Sequence, residues 1–307
     1  MAWSTADIPQ QHGRVAVVTG GNGGLGLATV TALAAKGAHV IMAARNRAKA
    51  VAARDRLAAA YPRAAVEIVV LDLGSLASVE HAAGEILAAH PRLDLLINNA
   101  GVMAVPEGRT VDGFETQFGI NHLGHWALTA RLLPALVRTP GARVVTLTST
   151  AQHGGTPQKI NNTPRGYAPW RAYDDSKLAN RHFAQGLDRQ FRRAGLSARA
   201  LTAQPGFTNS DLMDLSAAGG VAGRRGGIIF PMARVIGMTP ERGALSQLRA
   251  ATDPRADGGT LYGPRWAVAG PPVRRRLVRP GAERAIRVLW QVSRDLTGLD
   301  IDVSRCP

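Results

Sequence analysis

The chain has one cysteine, Cys306, next to its C-terminus. It can therefore close no intrachain disulfide and build no cysteine metal site, and a reducing, cytoplasmic setting is expected. Long apolar runs are missing as well. Residues 1–14 carry Asp7, Pro9, Gln10 and Gln11, which argues against a secretory signal. The most apolar later stretch, 226–238, contains Pro231 and Arg234 and is too short to cross a bilayer, so no membrane anchor is expected. Lysine is scarce: of 37 basic residues only Lys36, Lys49, Lys159 and Lys177 are lysines.

Acidic residues number 22, which leaves a net charge of +15. Such a surplus attracts polyanions. The arginines are spread along an alanine- and glycine-rich chain, a pattern that reads as codon usage rather than a selected face. With no recognition motif for nucleic acid, no nucleic-acid partner is expected. The densest basic run, from Arg274-Arg275-Arg276 to Arg287, is broken by Pro280 and Gly281 and offers at most a minor anion-attracting edge.

What is present is an alternation. Val- and Ile-rich runs at 14–19, 39–43, 66–71, 93–98, 142–148 and 197–203 are separated by stretches of helical period such as 24–36, 47–60 and 75–89. This is the pattern of repeated strand–helix units. No Pro/Gly/Ser linker divides it. The expected fold is α/β: a single doubly wound Rossmann-type domain over 1–307, with a central parallel sheet of about seven strands and helices on both faces. Residues 14–210 form its core and 211–307 a substrate-loop and C-terminal region. Helices are expected at 240–251 and 283–296, with a last short strand at 258–262. The irregular segment 211–239 is longer than an ordinary connection, as functional loops are.

The first strand runs into Thr19-Gly20-Gly21-Asn22-Gly23-Gly24-Leu25-Gly26 and then into a helical pattern. A dinucleotide site needs glycines here, because the turn is tight and the backbone must approach a pyrophosphate at a helix N-terminus. Two registers fit: Gly20/Gly24/Gly26 and Gly21/Gly23/Gly26. The second strand ends Ala43-Ala44-Arg45-Asn46-Arg47 with no acid in reach. A carboxylate there would bond the ribose of NAD and repel a 2′-phosphate, which an arginine can grip. NADP(H) is therefore expected over NAD(H).

Tyr173 and Lys177 lie one helical turn apart, on a helix expected to open at Tyr173, whose apolar positions Ala179, Phe183, Leu187 and Phe191 recur every four residues. An unperturbed phenol is a poor base at neutrality. A neighbouring ammonium would lower its pKa and fit it for general acid–base work. With four tyrosines and four lysines in the chain, such a pair arises by chance about one time in twenty, so the pair gains meaning only from its company.

That company is ordered. The 19–26 cradle, Asp72-Leu73 after the third strand, Asn98-Asn99-Ala100-Gly101 after the fourth, Asn121, Ser149 after the fifth, Tyr173/Lys177 and Pro205-Gly206 after the sixth resemble the short-chain dehydrogenase/reductase family. The Asn99-Ala100-Gly101-Val102-Met103 and Asn121-His122-Leu123-Gly124-His125 segments resemble its retinol dehydrogenase and protochlorophyllide reductase branch, which often takes lipophilic substrates.

The resemblance implies a hydride transfer between nicotinamide and a ketone, aldehyde or alcohol. Tyr173 would be the acid or base, Ser149 would orient the substrate oxygen, and Lys177 would bond the nicotinamide ribose. Asn121 would hold a relay water. Gly20, Asn22, Gly23, Gly24, Leu25, Gly26, Arg45, Asn46, Asp72, Leu73, Asn99, Ala100, Gly101, Pro205, Gly206 and Thr208 would line the cofactor. Family habit implies a homodimer or homotetramer. Thr148-Ser149-Thr150 replaces the commoner paired serines, which leaves a choice of hydroxyl.

Substrate would meet two variable segments, 151–171 and 211–239, with His153, Tyr167, Trp170, Leu212 and Met213 the chosen contacts and Ile228, Ile229, Phe230 and Met232 nearby. No metal is expected. The alternative on the same fold is a catalytically silent dinucleotide sensor, against which the intact Ser149, Tyr173 and Lys177 stand.

Overall fold

The computed structural model describes residues 2–156, 166–209, 220, 223, 225–227, 231, 237–275 and 281–306. Along the chain, β1 (Val15–Thr19), α1 (Gly24–Ala35), β2 (His39–Ala44), α2 (Arg47–Ala60), β3 (Ala65–Val70), α3 (Leu76–Ala89) and β4 (Leu95–Asn98) alternate strictly. A turn of helix at Thr116–Phe118 and a π-turn at Gly119–Leu123 lead into α4 (Gly124–Val137). Then follow β5 (Arg143–Leu147), α5 (Pro169–Arg193), β6 (Arg199–Ala203), α6 (Pro240–Thr252), β7 (Leu261–Pro264), β8 (Pro272–Arg275) and α7 (Ala282–Thr297).

The strands form one sheet in the order β3-β2-β1-β4-β5-β6-β7-β8. All pairings are parallel except β7 with β8. The chain moves outward one way from β1 and the other way from β4. That reversal opens a crevice beyond the carboxyl ends of these two strands, where ligands bind in doubly wound sheets.

Alternate residues of each strand feed opposite faces. Val17, Ile41, Leu96 and Val144 pack with α3, α4 and α5. Val18, Met42, Ile97 and Val145 pack with α1, α2 and α6. Both faces are covered, so the central strands read as unbroken apolar runs. Trp126 and Phe183 anchor the first face, fully buried, each worth roughly 1.5–3 kcal/mol of burial.

Three differences from expectation have local causes. The sheet has eight strands rather than about seven, because the short basic run supplies an antiparallel edge. There Arg274 pairs with Asp257 at 2.8 Å and Arg275 donates to the Pro264 and Arg265 carbonyls. The last parallel strand lies at Leu261–Pro264, later than the expected 258–262. Finally, α5 begins at Pro169 and not at Tyr173, since proline is favoured in a first helical turn that needs no N–H partner. The expected substrate contacts Leu212 and Met213, with Ile228, Ile229, Phe230 and Met232, lie outside the described residues, as do Lys159 and Arg276.

Candidate active site

Beyond β1 and β4 lies a cavity of about 340 Å³, lined by the 20–26 turn, the end of β2 and the turn after β4. The glycines are there for identifiable reasons. Gly20 and Gly24 have φ of +65° and +48°, in the left-handed region that side chains disfavour. A Cβ on Gly26 would run into the Gly20 carbonyl oxygen and come within 2.7 Å of Asn99 Nδ2. The first of the two registers, Gly20/Gly24/Gly26, thus carries the conformational demand. The α1 N-terminus, with Gly23 as N-cap, has no side-chain cap. Its N–H groups face the space where a pyrophosphate would sit.

Thr19 holds this turn against the next one. Its hydroxyl accepts the Asn99 and Ala100 N–H groups at 2.9 and 3.0 Å and contacts His125 Nε2 at 2.9 Å. Burial lowers His125 to about 4, so the ring is neutral at pH 7. Its Nδ1 stands 3.0 Å from the Asn121 carbonyl, which can only accept. Nδ1 therefore carries the proton, and Nε2 accepts the Thr19 hydroxyl hydrogen. Every polar atom of this buried knot is used. Asn99 Nδ2 adds a bond to the Thr19 carbonyl at 2.8 Å, and its Oδ1 receives Gln247 Nε2 from α6 at 3.2 Å.

At the end of β2, Arg45 and Asn46 are exposed beside Lys49 on the cavity rim. The Asn46 side chain also caps α2, accepting the Lys49 N–H at 2.8 Å. Asp72 Oδ1 accepts the Gly74 N–H at 2.8 Å, which shapes the turn that carries Leu73. Lys49 was missed from the sequence; a position one helical turn from Asn46 was its only signal.

A second cavity of about 130 Å³ continues from the first, sharing Leu25, Asn99 and Gly101 with it. Ser149, Tyr173, Lys177, Pro205, Gly206 and Thr208 all face it. Helix α5 is fastened to β5 by Thr148 Oγ1 donating to the Lys177 carbonyl at 2.7 Å and Asn180 Nδ2 donating to the Leu147 carbonyl at 2.9 Å. The first bond commits the Thr148 hydroxyl to α5, while Ser149 and Thr150 line the cavity and Ser149 hydrogen-bonds Tyr173.

Burial pushes the Tyr173 phenol up to about 12 against the Ser149 hydrogen bond, with Asp174 adding to the rise. Arg225 rather than Lys177 supplies the charge that opposes this rise, and desolvation outweighs it; the Lys177 Nζ lies 5.5 Å from the ring centroid. Burial also brings Lys177 down to about 8.

Asn121, set by the π-turn, ties the turn after β4 to α5. Its Oδ1 accepts the Val102 N–H at 2.7 Å, and its Nδ2 donates to the Val102 carbonyl at 2.9 Å and to Ser176 at 3.0 Å. A Cβ on Gly101 would lie 2.9 Å from Asn121 Oδ1 and 3.3 Å from Lys177 Nζ, so these three meet at one point. Gly206, at φ +76°, lets Phe207 N donate to the Val268 carbonyl at 2.8 Å. Thr208 bridges in parallel to Met238.

Of the expected substrate contacts, Trp170 lines the second cavity, edge-on to Tyr173 with ring centroids 6.2 Å apart. Tyr167 and His153 do not line it. The Tyr167 hydroxyl is held by Gln117 Nε2 at 2.8 Å and Glu115 at 3.1 Å, and His153 is exposed at the end of the Thr150–His153 turn. Arg225 was missed. It lines the cavity, grips Asp174 through two bonds of 2.8 and 3.0 Å, and lies 4.6 Å over Trp170. Nothing in its glycine–arginine neighbourhood set it apart from other arginines.

A glycine-lined crevice at the switch point of a doubly wound sheet, opening on a serine, tyrosine and lysine, places the chain among the doubly wound dehydrogenase folds. The sequence model of the short chain dehydrogenase family matches residues 14–218, and the chain belongs to that family. It is 39% identical over 231 residues to a short chain dehydrogenase/reductase of Colletotrichum higginsianum, covering 68% of this chain and 58% of the relative, so it spans less than two thirds of that protein. It is 34% identical over 313 residues to human retinol dehydrogenase 14, covering 94% and 87%. A crystal structure of a Mycobacterium paratuberculosis protein is 37% identical, with a TM-score of 0.78 over 98% of this chain and 99% of the other. The Pseudomonas aeruginosa RhlG/NADP complex is 27% identical, with a TM-score of 0.63 over 82% and 94%. Among the described residues, no helix is long and apolar enough to cross a membrane.

Proposed function

We propose that this chain interconverts a lipophilic carbonyl compound and its alcohol using NADP(H), with Tyr173 as the general acid–base. The observation that carries the reading is the continuity of the two cavities: the glycine cradle and the Ser149/Tyr173/Lys177 group face one cleft and share Leu25, Asn99 and Gly101.

The residues fit a dinucleotide, since a Cβ at Gly26 would fill the cradle. Gly20, Gly24 and the open α1 N-terminus would hold its pyrophosphate and Asp72 its adenine side. Arg45, with Lys49 beside it and no carboxylate in reach, would hold a 2′-phosphate. The NADP bound by the Pseudomonas aeruginosa relative supports that choice. When bound, the nicotinamide supplies or accepts the hydride.

The chain's own groups do the rest. Ser149 donates a hydrogen bond that orients the substrate oxygen beside the phenol. In reduction Tyr173 gives its proton to that oxygen as the carbonyl carbon is reduced; in oxidation the proton returns. A phenol at about 12 is fully protonated at pH 7, which suits it as the acid. Lys177 is charged below about 8 and would stabilise the phenolate left behind. Met103, Ala151 and Trp170 gather around Tyr173 and exclude water from the reacting centre. That apolar lining, together with the retinol named in a relative's title, supports a lipophilic substrate.

The test pairs binding with turnover. NADPH should bind more tightly than NADH, and Tyr173→Phe should keep NADPH binding while lowering kcat roughly 10²–10⁴-fold. Undiminished turnover in that variant would remove Tyr173 from the mechanism.

A further inference from the structure

At the opposite end of the strands from the cleft, His39, Glu67 and His90 converge. Ile41 and Glu67 are register partners on neighbouring strands. His39, two residues before Ile41, points to the same face. That face carries α3, and His90 is the C-cap of α3. Three segments far apart in sequence thus deliver two imidazoles and a carboxylate to one point.

The three side chains are in direct contact, with His90 Nε2 and Glu67 Oε1 hydrogen-bonded. His90 Nε2 lies 2.8 Å from Glu67 Oε1 and His39 Nε2 lies 3.1 Å from Glu67 Oε2. The ligand atoms all fall within 4.8 Å of one another. Ligands bound at about 2.0–2.1 Å around a tetrahedral ion sit roughly 3.3 Å apart, so little movement separates this arrangement from a coordinated one. The two rings tilt at 46° with centroids 4.9 Å apart, both presenting Nε2 to the carboxylate.

One atom marks a deficit. His39 Nε2 is shielded from solvent and has Glu67 Oε2 beside it at 3.1 Å, but not in hydrogen-bond geometry. A sequestered polar atom whose one contact is poorly aligned is under-satisfied, and a lone pair aimed at a cation would satisfy it. The ring edges remain within reach of solvent, with the side chains of His39 and Glu67 each about one third exposed. The C-terminus of α3 adds the negative end of a helix dipole.

We infer that His39, Glu67 and His90 form a surface site for a zinc-class transition-metal dication, remote from the catalytic cleft. Two imidazoles and one carboxylate are borderline donors that take Zn²⁺, Co²⁺, Ni²⁺ or Cu²⁺ and discriminate against Mg²⁺ and Ca²⁺, which want oxygen cages. With three protein ligands, water completes the shell. The ion joins β2, β3 and the end of α3, and by binding the folded chain it stabilises that edge.

The experiment uses the full chain without a histidine tag. Titration with Zn²⁺, and with Co²⁺ followed by its visible absorption, should give one saturable equivalent and a raised Tm. His90→Gln and Glu67→Gln should each weaken binding at least about tenfold, with the metal-free Tm retained as the folding control. X-ray absorption of the zinc-loaded wild type, which needs no variant, should report two imidazole ligands. Absence of a saturable equivalent, affinity unchanged in both variants, equal competition by Mg²⁺, or fewer than two imidazoles would each overturn the site.

Discussion

The two ends of the cleft are built differently. The glycine end is made by consecutive residues: one strand, one glycine turn and one helix, tied to the next turn by Thr19 and Asn99. The substrate end is assembled across distance. Arg225 reaches Asp174 across 51 residues, and Thr208 is braced by Met238. The first end depends on backbone shape and tolerates almost no added atom. The second depends on side chains, which can be exchanged for others, and this is where related enzymes would diverge in substrate.

The most damaging change falls at the first end. Gly26→Val should lower NADPH affinity by about two orders of magnitude or more, since the new carbon enters the space of the Gly20 carbonyl at the pyrophosphate turn. Isothermal titration checks it; near-normal affinity would show that the turn yields.

Acid should come next. Burial holds His122 at about 3 and His125 at about 4, against 6.5 when unfolded. Between pH 6.5 and 4 the unfolded chain binds protons that the folded chain refuses. Stability is therefore complete above pH 6.5 and falls on acidification by about 1.4 kcal/mol per pH unit for each histidine. Urea unfolding across that range should show the slope, and His125→Asn should flatten it.

Thr19→Val tests the knot alone. It strands the Asn99 and Ala100 N–H groups and His125 Nε2, at a cost of about 1–3 kcal/mol for each group that finds no new partner. Equilibrium denaturation would reveal it.

The smallest effect belongs to the second end. Arg225→Ala should raise KM for the carbonyl substrate several-fold while NADPH affinity stays within about twofold, because Arg225 touches the second cavity and not the first. Equal loss of both would mean that the ends are mechanically one.

The same contrast explains what was legible. The doubly wound sheet could be read because strands buried on both faces leave Val/Ile runs, and α2 was expected at its observed bounds. Both possible glycine registers were visible; only the positive φ values of Gly20 and Gly24 distinguish them. Edge strand β8 went unread because Pro272–Arg275 is short, begins with proline and carries two arginines. The pairing of Thr148 with the Lys177 carbonyl, the structural use of the Asn121 amide and the Arg225 clasp are long-range contacts, which no local pattern encodes. The upward shift of Tyr173 was misjudged because a sequence shows that an ammonium is near but not how dry the phenol is.

One feature outside the cleft bears on it. Trp290 of α7 stacks on Phe183 with ring centroids 5.9 Å apart, and Gln190 of α5 donates to the Ile301 carbonyl at 2.8 Å. The end of the chain thus backs the very helix whose front presents Tyr173 and Lys177. Loosening that backing, by trimming the last turn or loading it with a fusion partner, would detune the catalyst from behind without altering a single residue that faces the cleft.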